Sequence, residues 1–140
     1  KMATDLWYVG ERADKAASLK ILGNAMIIVL VAGLSDVFAI ARNLNMKPTE
    51  AFELFNHFKP GNVLEYRGKT MAAGDFTAAF ELTMARKDLR LNLEAAQGGD
   101  VELTVLPAIA ERMDTLIQQG HGGEDLGVLA IDAVRERVAG

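Results

Sequence analysis

The stretch Ile21–Ser35, ILGNAMIIVLVAGLS, runs for fifteen residues without a charge, with Lys20 on one side and Asp36 on the other. Fifteen uncharged residues fall short of the roughly 20 that span a bilayer. The run therefore predicts a helix buried on all sides inside a soluble bundle, not a membrane span. Outward from it, apolar residues recur at helical spacing: Leu19, Leu22, Met26, Ile27, Leu30, Leu34, Val37, Phe38 and Ile40. Asp14 is placed to cap this helix, which extends to about Asn43. About thirty residues make a rod roughly 45 Å long, the expected spine of the domain.

Glycine and proline divide the rest into short helices. Pro48 or Thr49 starts a second, carrying Phe52, Phe55 and Phe58 and stopped by Pro60-Gly61. Asn62 is placed to cap a third through Met71, ended by Gly74. Asp75 to Leu82 reads as an ordered loop holding Phe76 and Phe80. A fourth helix spans about Thr83 to Gln97, a fifth begins near Pro107 and ends at Gly120, and a sixth runs from about Asp125 to Val138. The only strand signal is Trp7-Tyr8-Val9-Gly10. The expected fold is all-α: a single bundle of about six helices around a long central one, in one domain covering residues 1–140.

Composition narrows the function classes. Half of the 140 residues are hydrophobic and 24% charged, which is globular. Fifteen basic residues against nineteen acidic leave a net charge of −4, unlike a protein that binds nucleic acid by neutralising phosphate. Cysteine is absent, which removes disulfides and thiol chemistry. The N-terminal residues Lys1 to Leu6 form no apolar leader, so a cytoplasmic location is expected.

Several short motifs fail on inspection. Gly68-Lys69-Thr70 imitates the tail of a phosphate-binding loop, but position 63 is Val where a glycine is required. In Gly120-His121-Gly122-Gly123-Glu124-Asp125 the third glycine of a dinucleotide fingerprint is replaced by Asp125, and no strand precedes it. It reads as a turn between helices. Glu53 and His57 share a helix face but lack the further ligands of a helical metal site, so no metal is expected. Tyr66 and the phenylalanines, with Trp7 and Tyr8, lack basic partners and read as core.

Lys20 and Asn24 do not suit a bland core. Four residues apart, they share one face where the sequence turns apolar. Burial of either costs several kcal/mol (about 2–7 for a neutral amide) unless it finds a partner. Gly23 beside them leaves room for something to approach the backbone. One reading is structural: a lysine snorkelling at a bundle edge, with Asn24 bonded to a neighbouring helix. The other is proton transfer, because a partly desolvated lysine holds its proton less firmly and can exchange it with an alcohol or carbonyl oxygen.

The same residues carry a family resemblance. Val9-Gly10 followed by Lys20-Ile21-Leu22-Gly23-Asn24 resembles the Gly…Lys-x-x-Asn-Asn signature of the 3-hydroxyisobutyrate (β-hydroxyacid) dehydrogenases. Phe76, Phe80 and Met84-Ala85-Arg86-Lys87-Asp88-Leu89 resemble the family's Phe…Met-Ala-Lys-Asp-Leu block; Leu106-Pro107 and Gly120 to Asp125 resemble its Leu-Pro and Gly…Glu-Asp elements. Gly23 stands where the first of the paired asparagines is usual, and Glu11 to Lys15 lack the family's further glycines. The resemblance implies the C-terminal helical domain of an enzyme whose Rossmann half lies outside this chain, with a 6-phosphogluconate dehydrogenase C-terminal-like fold. It further implies NAD or NADP as cofactor, a small 3-hydroxy acid as substrate, and association as a dimer. By position it gives Lys20 the catalytic role, Asn24 a substrate-orienting role, and Phe80 and Lys87 places beside the cofactor. Asp88 matches the motif and is expected to support the loop. The isolated chain is expected to be inactive. The competing expectation is a non-catalytic helical oligomerisation module.

Overall fold

A computed structural model describes residues 13–136. The strand-like Trp7 to Gly10 lies outside the described residues. The last helix, expected to reach about Val138, ends at Val134, because Arg135 is already extended. Six α-helices follow in order: α1 Ala13–Asn43, α2 Pro48–Phe52, α3 Pro60–Ala72, α4 Leu82–Ala96, α5 Leu106–Leu116 and α6 Ile131–Val134. Among the described residues the only β pairing is a single bridge between Glu81 and Asp125. The all-α architecture matches the expectation.

Local details differ from the sequence expectation at several places. Asp14, expected as the cap of α1, lies inside its first turn. α2 passes into a 3-10 turn, Glu53–Asn56, whose end is secured by Lys59 donating from Nζ to the Phe55 carbonyl at 2.8 Å. α3 begins at Pro60 itself, so Asn62 sits inside the first turn and does not cap it; proline, which lacks the N–H that a first-turn residue leaves unused, sets the start. α5 ends at Leu116 and a π turn, Ile117–His121, carries the chain to Gly120, whose φ of 96° requires glycine. The final segment starts at Asp125 as expected, but as a 3-10 turn, Leu126–Ala130, before α6; the Asp125 carboxylate caps it by accepting from Gly127 N.

The core lies between α4 and α5. Leu82, Ala85 and Leu89 recur every three or four residues on α4, and Ala110, Met113 and Leu116 every three on α5; Val128 closes the cluster. Leu82, Leu116 and Val128 are fully buried, each contributing about 1.5–3 kcal/mol. Arg86 pairs with Asp114 through two hydrogen bonds of 2.7 and 3.2 Å, tying the outer edges of the same two helices together.

α1 joins this core only through its C-terminal half. Ala41 is buried, and Asn43 donates to the carbonyls of Ala95 and Gln97 at 2.6 and 3.0 Å. The stronger link is Asp36, 1% exposed. One carboxylate oxygen accepts from Thr104 N at 2.6 Å and the other from Val105 N and Leu106 N at 2.8 and 2.9 Å. Val105, the N-cap of α5, supplies no side-chain cap of its own. Asp36 therefore caps α5 from another helix, satisfying its orphan N–H groups and lying at the positive end of its dipole.

The N-terminal half of α1 corrects the sequence expectation. Every residue from Lys20 to Val31 is exposed, Ile21 and Ile28 by 68% each. The reason is length. α1 has 31 residues, about 46 Å of axis, whereas α3, α4 and α5 have 13, 15 and 11, about 16–23 Å each. The bundle reaches only part of the rod. Phe52, Phe58 and Tyr66 are likewise exposed and not core.

Replacing Asp36 with alanine strands three N–H groups and is predicted to cost about 3 kcal/mol in urea unfolding. Asp36→Asn keeps its oxygen for Val105 and Leu106 and should lose about half as much.

Candidate functional site

Lys20 and Asn24 stand one turn apart on the uncovered half of α1. Neither takes part in a side-chain hydrogen bond or ion pair among the described residues, and a Cβ added at Gly23 would meet nothing within 4 Å. The bundle does not bury this pair, and Asn24 bonds to no neighbouring helix among the described residues. The snorkelling geometry of the structural reading is therefore not formed within the described residues. Further along α1, Val29, Leu30 and Val37 line an apolar groove of about 470 Å³ with the rings of Phe52 and Phe55 and with Ile109. The Phe52 and Phe55 centroids are 5.8 Å apart.

Phe80 and Lys87 belong to a second region. Phe80 ends the loop before α4 and packs partly buried against the core; Lys87 is exposed on α4 and makes no ion pair among the described residues. Asp88, expected to support the loop, is exposed on α4 and makes none of the loop's hydrogen bonds. No hydrogen bond or ion pair among the described residues joins Lys20 and Asn24 to Phe80 and Lys87.

The loop is held by Asp125. The backbone of residues 76–83 is stitched to residues 122–126 by four bonds: Asp125 N to Phe76 O at 2.9 Å, Leu126 N to Phe80 O at 2.8 Å, Leu82 N to Glu124 O at 2.8 Å and Thr83 N to Gly122 O at 3.0 Å. The Asp125 carboxylate then accepts from Ala79 N and Phe80 N at 3.1 and 3.0 Å, and from Arg67 Nε of α3 at 2.9 Å. Arg67 was missed in the sequence, because 58 residues separate it from Asp125. Asp36 was missed as well, since the sequence reading used it only as the charge that ends the apolar run; a lone acid among helically spaced apolar residues is the signal that could have found it.

Neither glycine-rich segment offers a phosphate cradle. Gly68, Lys69 and Thr70 are all inside α3. Gly122 is explained by packing, since a Cβ there would lie 2.6 Å from Thr83 Oγ1. The N–H groups of Leu82 and Thr83 at the start of α4 are already used by Glu124 and Gly122 carbonyls. His121 meets the Glu124 carboxylate across the same turn. Glu53 and His57 are exposed, and the described residues hold no group of three metal-ligating side chains. For a nicotinamide dinucleotide, the described residues thus fit one side only: an aromatic ring, Phe80, and an unpaired cation, Lys87, without a pyrophosphate site.

Burial pushes the Asp125 carboxyl up, but the Arg67 guanidinium and the N–H groups of Gly127, Phe80 and Ala79 outweigh it and hold the group well below the usual carboxylate range. A depressed folded value means that the stabilisation is complete above the unfolded carboxyl value of about 3.9 and is lost as pH falls towards the folded value. Urea midpoints are expected to lose this contribution only below about pH 4, and Asp125→Asn should flatten that fall while lowering the midpoint at pH 7.

Comparison with known proteins finds relatives along most of the chain. The chain is 26% identical over 138 residues to 2-(hydroxymethyl)glutarate dehydrogenase of Eubacterium barkeri, covering 97% of this chain and 45% of that protein. It is 23% identical over 129 residues to an uncharacterized oxidoreductase of Bacillus subtilis, covering 91% of this chain and again 45% of the relative. It thus spans about half the length of these relatives. A reductive aminase from Aspergillus terreus, solved in complex with NADPH4, cyclohexanone and allyl amine, shares the fold with a TM-score of 0.79 at 23% identity, over 92% of this chain and 46% of that one. The family model described as NAD-binding of NADP-dependent 3-hydroxyisobutyrate dehydrogenase matches residues 15–130. Its cofactor is NAD or NADP. The chain belongs to this 3-hydroxyisobutyrate dehydrogenase family.

Proposed function

We propose that this chain is the substrate-binding helical half of an NAD(P)-dependent 3-hydroxyacid dehydrogenase, with Lys20 as its general acid and base. The observation that carries the reading is the position of Lys20 and Asn24: side by side on the half of α1 that the bundle leaves uncovered. A Rossmann half elsewhere in the whole protein would close over this face. That closure would remove water from Lys20 and bring Phe80 and Lys87 to the cofactor from the helical side. The isolated chain, without a pyrophosphate site, is then inactive.

The bound nicotinamide supplies a hydride acceptor for the carbon that bears the hydroxyl. Asn24 holds a substrate oxygen one helical turn from Lys20. Neutral Lys20 Nζ takes the hydroxyl proton as the alcohol becomes a carbonyl, and returns it in reduction. The substrate class is a small 3-hydroxy acid, and the enzyme works in the cytoplasm as a dimer, away from nucleic acid and membranes.

A second reading, the helical oligomerisation module, is favoured by the same exposed apolar residues. α1 is long and apolar enough to cross a membrane by length and composition, and only 11% of its most apolar window is buried. Such a surface requires cover.

The test uses the complete natural reading frame containing these residues, with NAD and NADP and a panel of 3-hydroxy acids. Lys20→Ala should reduce turnover about 10³-fold with an unchanged melting curve. A variant that keeps activity and melts lower would make the lysine structural. Light scattering is expected to find the protein as a dimer, and Ile28→Lys, at a site 68% exposed in one chain, should weaken association without unfolding the bundle.

A further inference from the structure

We infer that Asp125, anchored by Arg67, is a positioning residue that sets Phe80 against the nicotinamide cofactor. The inference rests on the reading of Phe80 proposed above. It adds two residues that neither touch the substrate nor belong to the proton-transfer pair.

Phe80 lies in a loop without regular structure, so its place is not set by a helix or a sheet. Both polar groups of its backbone nevertheless end at one turn. Its N–H donates to Asp125 Oδ2 at 3.0 Å, and its carbonyl accepts from Leu126 N at 2.8 Å. The same Oδ2 accepts from Ala79 N at 3.1 Å and from Arg67 Nη2 at 3.4 Å. Oδ1 accepts from Arg67 Nε at 2.9 Å and Gly127 N at 2.8 Å. The carboxylate, 7% exposed, thus uses both oxygens in opposite directions: one towards the phenylalanine loop, one towards the turn it caps. Arg67 faces both and refers the whole assembly to α3.

The third wall of this joint is also tight. A Cβ at Gly127 would lie 2.8 Å from Met71 Cγ, so α3 presses directly on the turn. A shift of Asp125 therefore cannot be absorbed by α3 and passes to the other side, which is Phe80. An amide in place of the carboxylate keeps one acceptor and turns the other into a donor. It must then oppose either Gly127 N or the Ala79 and Phe80 N–H groups, and it gives up the charge pairing with Arg67.

The experiment is a double-mutant cycle in the complete reading frame, with Asp125→Asn, Phe80→Ala and both together, reading kcat and KM for the cofactor. Asp125→Asn is expected to raise the cofactor KM about 10-fold with kcat changed less than about threefold. In the Phe80→Ala background it should add less than about twofold, because there is no longer a ring to place. Effects that multiply independently overturn the inference, as does a lower melting temperature with unchanged KM. If Asp125→Asn does not fold, Arg67→Lys, which keeps the charge and loses the two-pronged contact, carries the same cycle with the same criteria. Lys20→Ala is measured beside them. Turnover with an additive cycle refutes the positioning role alone, turnover independent of Lys20 refutes the lysine's role alone, and absent turnover refutes the dehydrogenase reading and this inference with it.

Discussion

The contact between Asp36 and the start of α5 decides where the long helix stands. A buried carboxylate is costly unless its oxygens are filled, and here three backbone N–H groups fill them. Those of Val105 and Leu106 would otherwise be unsatisfied donors at the start of α5. Each side solves the other's problem, so the joint is specific as well as favourable. Ala41 and Asn43 add packing and a carbonyl clamp further along, but both lie within two turns of Asp36. The angle at which α1 leaves the bundle, and with it the place of Lys20, depends on this short segment.

Asp125 plays the matching part at the other end of the bundle. It too satisfies backbone donors from a separate piece of chain, and it too is buried. The difference is its partner. Arg67 gives Asp125 a compensating charge, whereas Asp36 relies on N–H groups and the dipole of α5. Both carboxylates organise backbone that regular hydrogen bonding leaves open: a helix start in one case, a loop in the other. Lys20, Asn24 and Lys87, by contrast, make no side-chain hydrogen bond or ion pair among the described residues, and all three are exposed.

That contrast gives the uncovered half of α1 its meaning. A helix that is apolar around its circumference and exposed along several turns is an unfinished surface. By length and composition α1 could cross a bilayer, although its wholly uncharged run of fifteen residues covers only about 22 Å of a hydrocarbon core of about 30 Å. A protein surface suits it better, since Lys20 and Asn24 interrupt one face with groups that need polar company while the groove beside Phe52 and Phe55 offers a dry one. Two regions of different character call for two kinds of cover, which the cofactor-binding half and the second copy proposed above would supply.

Much of this was legible in the sequence, and for identifiable reasons. Helical periodicity and glycine or proline breaks are local, so the all-α class, the long α1 and the order of the helices followed from spacing alone. The Lys20–Asn24 pair was visible because four residues make one helical turn. Burial was not. An apolar run looks the same whether a bundle, a bilayer or another surface covers it, and only the short reach of α3, α4 and α5 shows that this domain leaves it bare. Nor could the sequence join Arg67 to Asp125 across 58 residues, or Asp36 to Leu106 across 70, because such pairings are decided by how helices pack and not by any property of the residues near them.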